Sequence, residues 1–222
     1  MPTNYAATRP ETAILATNKL IRNTYTLLSM TLLFSALTAT LSVFMQVGYG
    51  ASLFCTFGAL GILWLVLPKT ANSAAGIGVV FLFTGLLGFG LGPTIGHYLS
   101  VPGGSQIVMT ALGGTGVIFL GLSGYALTTR RDFSFMGGFL FMGLLVILGA
   151  ALANIFFAIP ALSLALSAGI VMLFSGFILY DTGRMVNGGE TNYIHATVSL
   201  YISILNIFTS LLHLLGAFGG DD

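Results

Sequence analysis

The chain has 222 residues, of which 56% are hydrophobic and only 6% charged, with a mean hydropathy of +0.99 and a formal net charge of +1. A soluble domain carries about 25% charged residues, so a soluble class is excluded, and the absence of any basic stripe excludes a nucleic-acid partner. What remains is an all-α polytopic membrane protein of one domain, whose single cysteine, Cys55, cannot close an internal disulfide and reads as a small packing residue.

In chain order, residues 1–23 form a polar N-terminal tail with Arg9, Glu11, Lys19 and Arg22. Seven apolar segments follow within 24–218: Thr24 to Met45, Gly50 to Leu67, Ala75 to Tyr98, Ser105 to Leu127, Phe135 to Phe157, Ala161 to Tyr180, and Val198 to Phe218 with a polar lead-in from Thr191. Each is close to the roughly 20 residues that cross a bilayer. The first reads as a span rather than a signal peptide, because its apolar run passes its small residues and no A-x-A site is present. Pro68-Lys69 is expected to stop the second. Residues 219–222 are left as a short C-terminal tail.

The charges give an expected orientation. Arg9, Lys19 and Arg22 precede span one; Lys69 follows span two; Arg130 and Arg131 follow span four; Arg184 follows span six. The alternate loops, around Val47, Val101 and Ala158, hold no Lys or Arg. This positive-inside pattern places the N-terminus in the cytoplasm and, with seven spans, the C-terminus outside. A re-entrant seventh segment would bring the tail back inside.

Glycine recurs within the spans. Gly88, Gly92 and Gly96 repeat every four residues in span three, and Gly113, Gly114, Gly116, Gly121 and Gly124 crowd span four. In lipid, small residues let helix backbones approach, so these glycines predict tight internal packing, or else a hinge or self-association face.

The seventh span carries a polar seam: Asn192, His195, Ser199, Ser203, Asn206, Ser210 and His213 recur at steps of three or four, one face of a helix. Hydroxyl, amide and imidazole groups cannot face acyl chains cheaply, so the other segments are expected to surround this one. Asp181, at the end of span six, is the one acid near a span. It is expected either as a solvated helix-end residue paired with Arg184 or His195, or as a proton or cation site facing the seam at the depth of Ser203. His195 titrates in the physiological range. His213 and Asn154 are expected to hydrogen-bond across helices. Arg184 and Glu190, in the polar turn, form a candidate ion pair; Glu190 is either a favourable acid at a helix start or a ligand. No metal spacing, nucleophile elbow or phosphate loop is present, so no enzyme is expected.

The stretch LYDTGRMVNGGETNYIHATVSLYISILNIFTSLL resembles the Bax inhibitor family, whose members carry a Y-D-T-type end to span six and a polar seventh span. The blocks KLIRNTYTLLSMTLLFSALTAT, YALTTRRDFSFMGG and ALANIFFAIPAL extend the likeness along nearly the whole chain, toward a bacterial branch. The resemblance implies an inner-membrane protein with six helices packed around the seventh. It also implies binding to the FtsH membrane protease complex, which such a protein restrains while being a slow substrate, with Met1 to Asn23 as the handle. Other members are pH-sensitive calcium leak channels whose gate resembles two aspartates sharing a proton. Asp181 matches the first, whereas Ser203 occupies the place of the second. A calcium or proton leak is therefore the alternative reading, with Asp181 as a possible calcium ligand and no resident cofactor; one carboxylate is too few for a tight divalent site.

Overall fold

The computed structural model describes residues 11–219, with backbone alone for residues 11–13. The ends of both tails, residues 1–10 and 220–222, lie outside the described residues, and with them part of the expected protease handle, residues 1–23. Seven helices are long and apolar enough to cross a membrane. In hydrocarbon a helix satisfies its own backbone polar groups, so each apolar run folds as one: α1 (Glu11–Phe44), α2 (Tyr49–Thr70), α3 (Ala75–Leu99), α4 (Gly104–Thr129), α5 (Met136–Phe157), α6 (Pro160–Asn187) and α7 (Tyr193–Phe218).

Three boundaries depart from the hydropathy pattern. α1 begins at Glu11 rather than Thr24. Good helix formers fill the polar stretch, and Leu20 already belongs to the core. α2 runs through Pro68 to Thr70 because the ladder opens into a π-helical turn at Ile62–Val66 just before it. A proline lacks an N–H and crowds the carbonyl four residues back, and a π turn relieves both constraints. α6 and α7 reach to Asn187 and back to Tyr193, well past their apolar runs. Their polar ends are interior: Thr182, Gly183 and Met185 of α6 pack away from solvent, as do Ile194 and Thr197 of α7. Gly188, at φ +80°, supplies the left-handed residue that ends α6.

The seamed helix α7 lies at the centre. Half of its span is buried, against 6% for α5, the most peripheral helix. α1, α3, α4 and α6 touch α7 directly; α2 packs outside on α3, and α5 outside on α6. The glycines divide accordingly. On α3, a Cβ at Gly85, Gly88 or Gly92 would collide with Phe34, Ser35 or Ser42 of α1, while Gly90 faces Ser52, Cys55 and Thr56 of α2. Ser52 Oγ donates to the Gly90 carbonyl, closing that contact. Of the five glycines that crowd the middle of α4, Gly114 alone meets a neighbour, Leu211; Gly113, Gly116, Gly121 and Gly124 have open space beside them. Tight packing thus accounts for most of the span-three glycines and for few of those in span four, where Gly113 and Gly121 are exposed and Gly116 borders a gap toward α1.

Candidate functional site

The site is built where the end of α6 meets the start of α7. Asp181 stands on a buried turn of α6, and its Oδ2 accepts a hydrogen bond of 2.5 Å from Ser199 Oγ on α7. Ser203, one turn deeper and almost fully buried, donates back to the Ser199 carbonyl at 3.1 Å. The partner of Asp181 is therefore Ser199, not Ser203, Arg184 or His195. α6 continues six residues past Asp181 to Asn187, so the carboxylate meets the seam from within the helix and not from its end.

Arg184 is committed to the loop. Its guanidinium donates to the Gly189 carbonyl at 2.7 Å, lies 3.9 Å from Glu190 and sits 5.5 Å from the centre of the Tyr180 ring. The expected Arg184–Glu190 pair is present, though part-exposed and weak by its distance. Glu190 acts chiefly as a turn cap: Oε1 accepts from the backbone N–H of Thr191 and of Asn192, both at 2.8 Å. Asn192 caps α7 by accepting from Ile194 N at 2.8 Å. Its amide also donates to the Ala71 carbonyl and to Asn72 Oδ1, at 3.0 and 2.8 Å, tying the start of α7 to the end of α2.

These elements enclose a cavity of about 370 Å³. Asp181, Arg184, Glu190, His195 and Ser199 form its polar wall; Ala196, Val198, Ile202, Leu63, Leu67 and Pro68 form the apolar one. Leu63 belongs to the π turn of α2, a deviation that recurs at functional sites. Among the described residues, no three His, Cys, Asp or Glu side chains converge as a metal site.

The far end of the seam also reaches α6. His213 Nδ1 lies 2.8 Å from Ser167 Oγ, a second bridge between the two helices. Ser199, Asn206 and His213, seven residues apart, thus share a face whose two ends are anchored on α6. Asn206 donates to the Ile202 carbonyl of its own helix at 2.8 Å, and Ser210 is buried. Asn154 joins α5 to α6, donating to Ser163 Oγ at 2.6 Å and accepting from Ile159 N at 3.0 Å. Sequence reasoning missed the opposite face of α7. There Tyr201 Oη lies 2.6 Å from Ser35 Oγ and donates to the Thr84 carbonyl at 3.2 Å, joining α7 to α1 and α3. The available signal was a lone tyrosine in an apolar run, with serines at helical spacing on span one.

Comparison with known proteins gives matches of nearly full length. The family described as inhibitor of apoptosis-promoting Bax1 matches residues 17–220. The chain is 49% identical over 211 residues to the modulator of FtsH protease YccA of Escherichia coli K12, covering 95% of each chain. It is likewise 49% identical over 208 residues to an uncharacterised membrane protein of Vibrio cholerae, covering 94% of this chain and 93% of that one. A third relative, from E. coli O6:H1, is named inner membrane protein YccA, with 49% identity over 211 residues.

Proposed function

The chain belongs to the Bax inhibitor family, and from that membership we propose that it binds an FtsH-type membrane protease in the bacterial inner membrane and modulates its action on other membrane proteins. One observation carries the reading: the likeness to a protein named as a modulator of FtsH protease extends over 95% of both chains. The fold is compatible with it. Polar contacts gather several segments at one end of the bundle: Asn187 Nδ2 donates to the Arg131 carbonyl at 3.1 Å, and Asn192 joins α7 to Ala71. In the proposed orientation this basic end faces the cytoplasm, and it is the side we assign to protease contact. The test is co-purification with the protease, followed by the half-life of a second membrane substrate with and without this protein. Co-purification and a changed half-life support the reading; no co-purification with an unchanged half-life overturns it.

A second reading rests on the buried carboxylate. Asp181 borders a cavity of about 370 Å³, and ionisable groups in membrane spans are costly and are found at functional sites, ion and proton paths among them. A calcium or proton leak through this end would depend on Asp181. In liposomes, flux of either ion that falls in Asp181→Asn supports it; flux that is absent, or unaltered in the variant, removes Asp181 as a gate. The serine at 203 leaves Asp181 as the single buried carboxylate among the described residues, which is why protease modulation is the preferred reading.

A further inference from the structure

A second cavity in the bundle is apolar and larger than the polar one. A slot of about 680 Å³ lies between α1 and α4, with α3 and α7 as its floor. Among the described residues, the backbones of α1 and α4 never come within 8 Å of each other, so the slot is open sideways. Its inner end is closed by one side-chain bridge, Tyr25 of α1 against Phe119 of α4, ring centres 6.0 Å apart. Its mouth, at Phe44, Leu99 and Val108, lies at the end away from the basic loops.

Two properties identify an occupant. The first is dryness. Four polar residues line the slot, and the hydroxyl of each is engaged within the protein: Ser35 with Tyr201, Tyr201 with the Thr84 carbonyl, Thr40 with the Ala36 carbonyl and Thr115 with the Ala111 carbonyl. A water needs two to four polar partners and would find few here. An empty slot would leave its walls without dispersion contacts. The second is depth. Along α1 the slot runs from Leu32 to Phe44, about 18 Å at 1.5 Å per residue. One leaflet of a hydrocarbon core is about 15 Å deep. The slot is therefore apolar, open to the bilayer, and as deep as one leaflet.

We propose that this slot holds one acyl chain of a phospholipid from the leaflet at the end away from the basic loops. The chain lies between α1 and α4 against Ile204, Leu205 and Phe208 of α7, and its tip abuts Phe119. Small residues on either wall, Ala36 and Gly116, make the room it occupies.

The full chain, reconstituted in nanodiscs of phosphatidylethanolamine and phosphatidylglycerol and then released into mild detergent, would be weighed by native mass spectrometry. The expected result is one retained phospholipid per chain. Gly116→Leu fills the slot from α4, where a Cβ meets nothing within 4 Å, and should abolish retention; Ala36→Leu does so from α1, should either variant fold poorly. Gly121→Leu, on the same helix with equally open space but outside the slot, should retain the lipid. The proposal is overturned if the wild-type chain retains no lipid, or if the slot-filling variants retain as much as Gly121→Leu. It is overturned equally if Leu112→Cys, in a Cys55→Ser chain, cross-links two copies through the open side of the slot.

Discussion

The hydroxyl of Ser199 and that of Ser203 are one turn apart and chemically identical, yet they do different work. Ser199 donates to a buried carboxylate, whereas Ser203 donates to its own helix. Removing the donor to a buried acceptor costs about 1–3 kcal/mol, while a back-bond to the helix contributes little. Ser199→Ala should therefore lower thermal stability in detergent clearly, and Ser203→Ala by much less; equal losses would show that Asp181 does not depend on its Ser199 bond. Asn192 offers a second contrast at this scale. It caps α7 and reaches the end of α2, so Asn192→Ala should cost about 0.5–2 kcal/mol for the cap alone, with faster proteolysis of the 188–192 loop as a separate readout. Glu190, by comparison, is held by two backbone N–H groups next to it in sequence, so Glu190→Gln should alter stability little.

At the scale of elements, glycine is informative only together with what it faces. Gly88 and Gly121 look alike in the sequence, each inside an apolar span. A Cβ on Gly88 would collide with Ser35 and Thr38 of α1, and one on Gly121 would meet nothing within 4 Å. Gly88→Ala should destabilise by about 1–3 kcal/mol through overpacking. Gly121→Ala should be neutral or gain up to about 1 kcal/mol from helix propensity. Thermal unfolding of the two variants side by side checks the sign. This is also the scale at which the sequence was least explicit. The seam at Ser199 and His213 announced an interior helix, because four-residue spacing fixes a face. Asp181 was expected either as a solvated helix end or facing the seam at the depth of Ser203, but nothing in the spacing said that it would bond Ser199 or that α6 would also hold His213 through Ser167. Hydropathy marks where lipid begins, not where hydrogen bonding stops, so it placed the ends of α1, α6 and α7 too near the apolar runs. The π turn before Pro68 was equally hidden, for a proline in sequence reads as a stop whether or not the preceding ladder widens to accept it.

For the whole molecule, the number and order of spans and the central place of α7 were legible, because charge, length and the polar seam all constrained the same arrangement; the apolar slot was not, since it arises from a gap between α1 and α4 that no local pattern encodes. One property of the whole, the sidedness of its ends, follows from span parity and can be tested. A re-entrant seventh segment would need a broken helix, for a chain that enters and leaves on one face must reverse within the bilayer. α7 is instead one continuous helix of 26 residues, about 39 Å at 1.5 Å per residue, longer than the roughly 30 Å hydrocarbon core. Its burial at the centre removes the objection that its serines and asparagine would face lipid. Seven continuous crossings would put the two ends on opposite sides, and the Lys and Arg residues before span one and after spans two, four and six lead us to expect the N-terminus in the cytoplasm. A phosphatase reporter that is active only outside the cytoplasm should therefore be active when fused after Asp222 or inserted beside Ala158, and inactive when placed beside Arg130 or Gly188. Activity at 158 without activity after 222 would mean that α7 does not cross, and would remove the central helix on which the bundle is assembled.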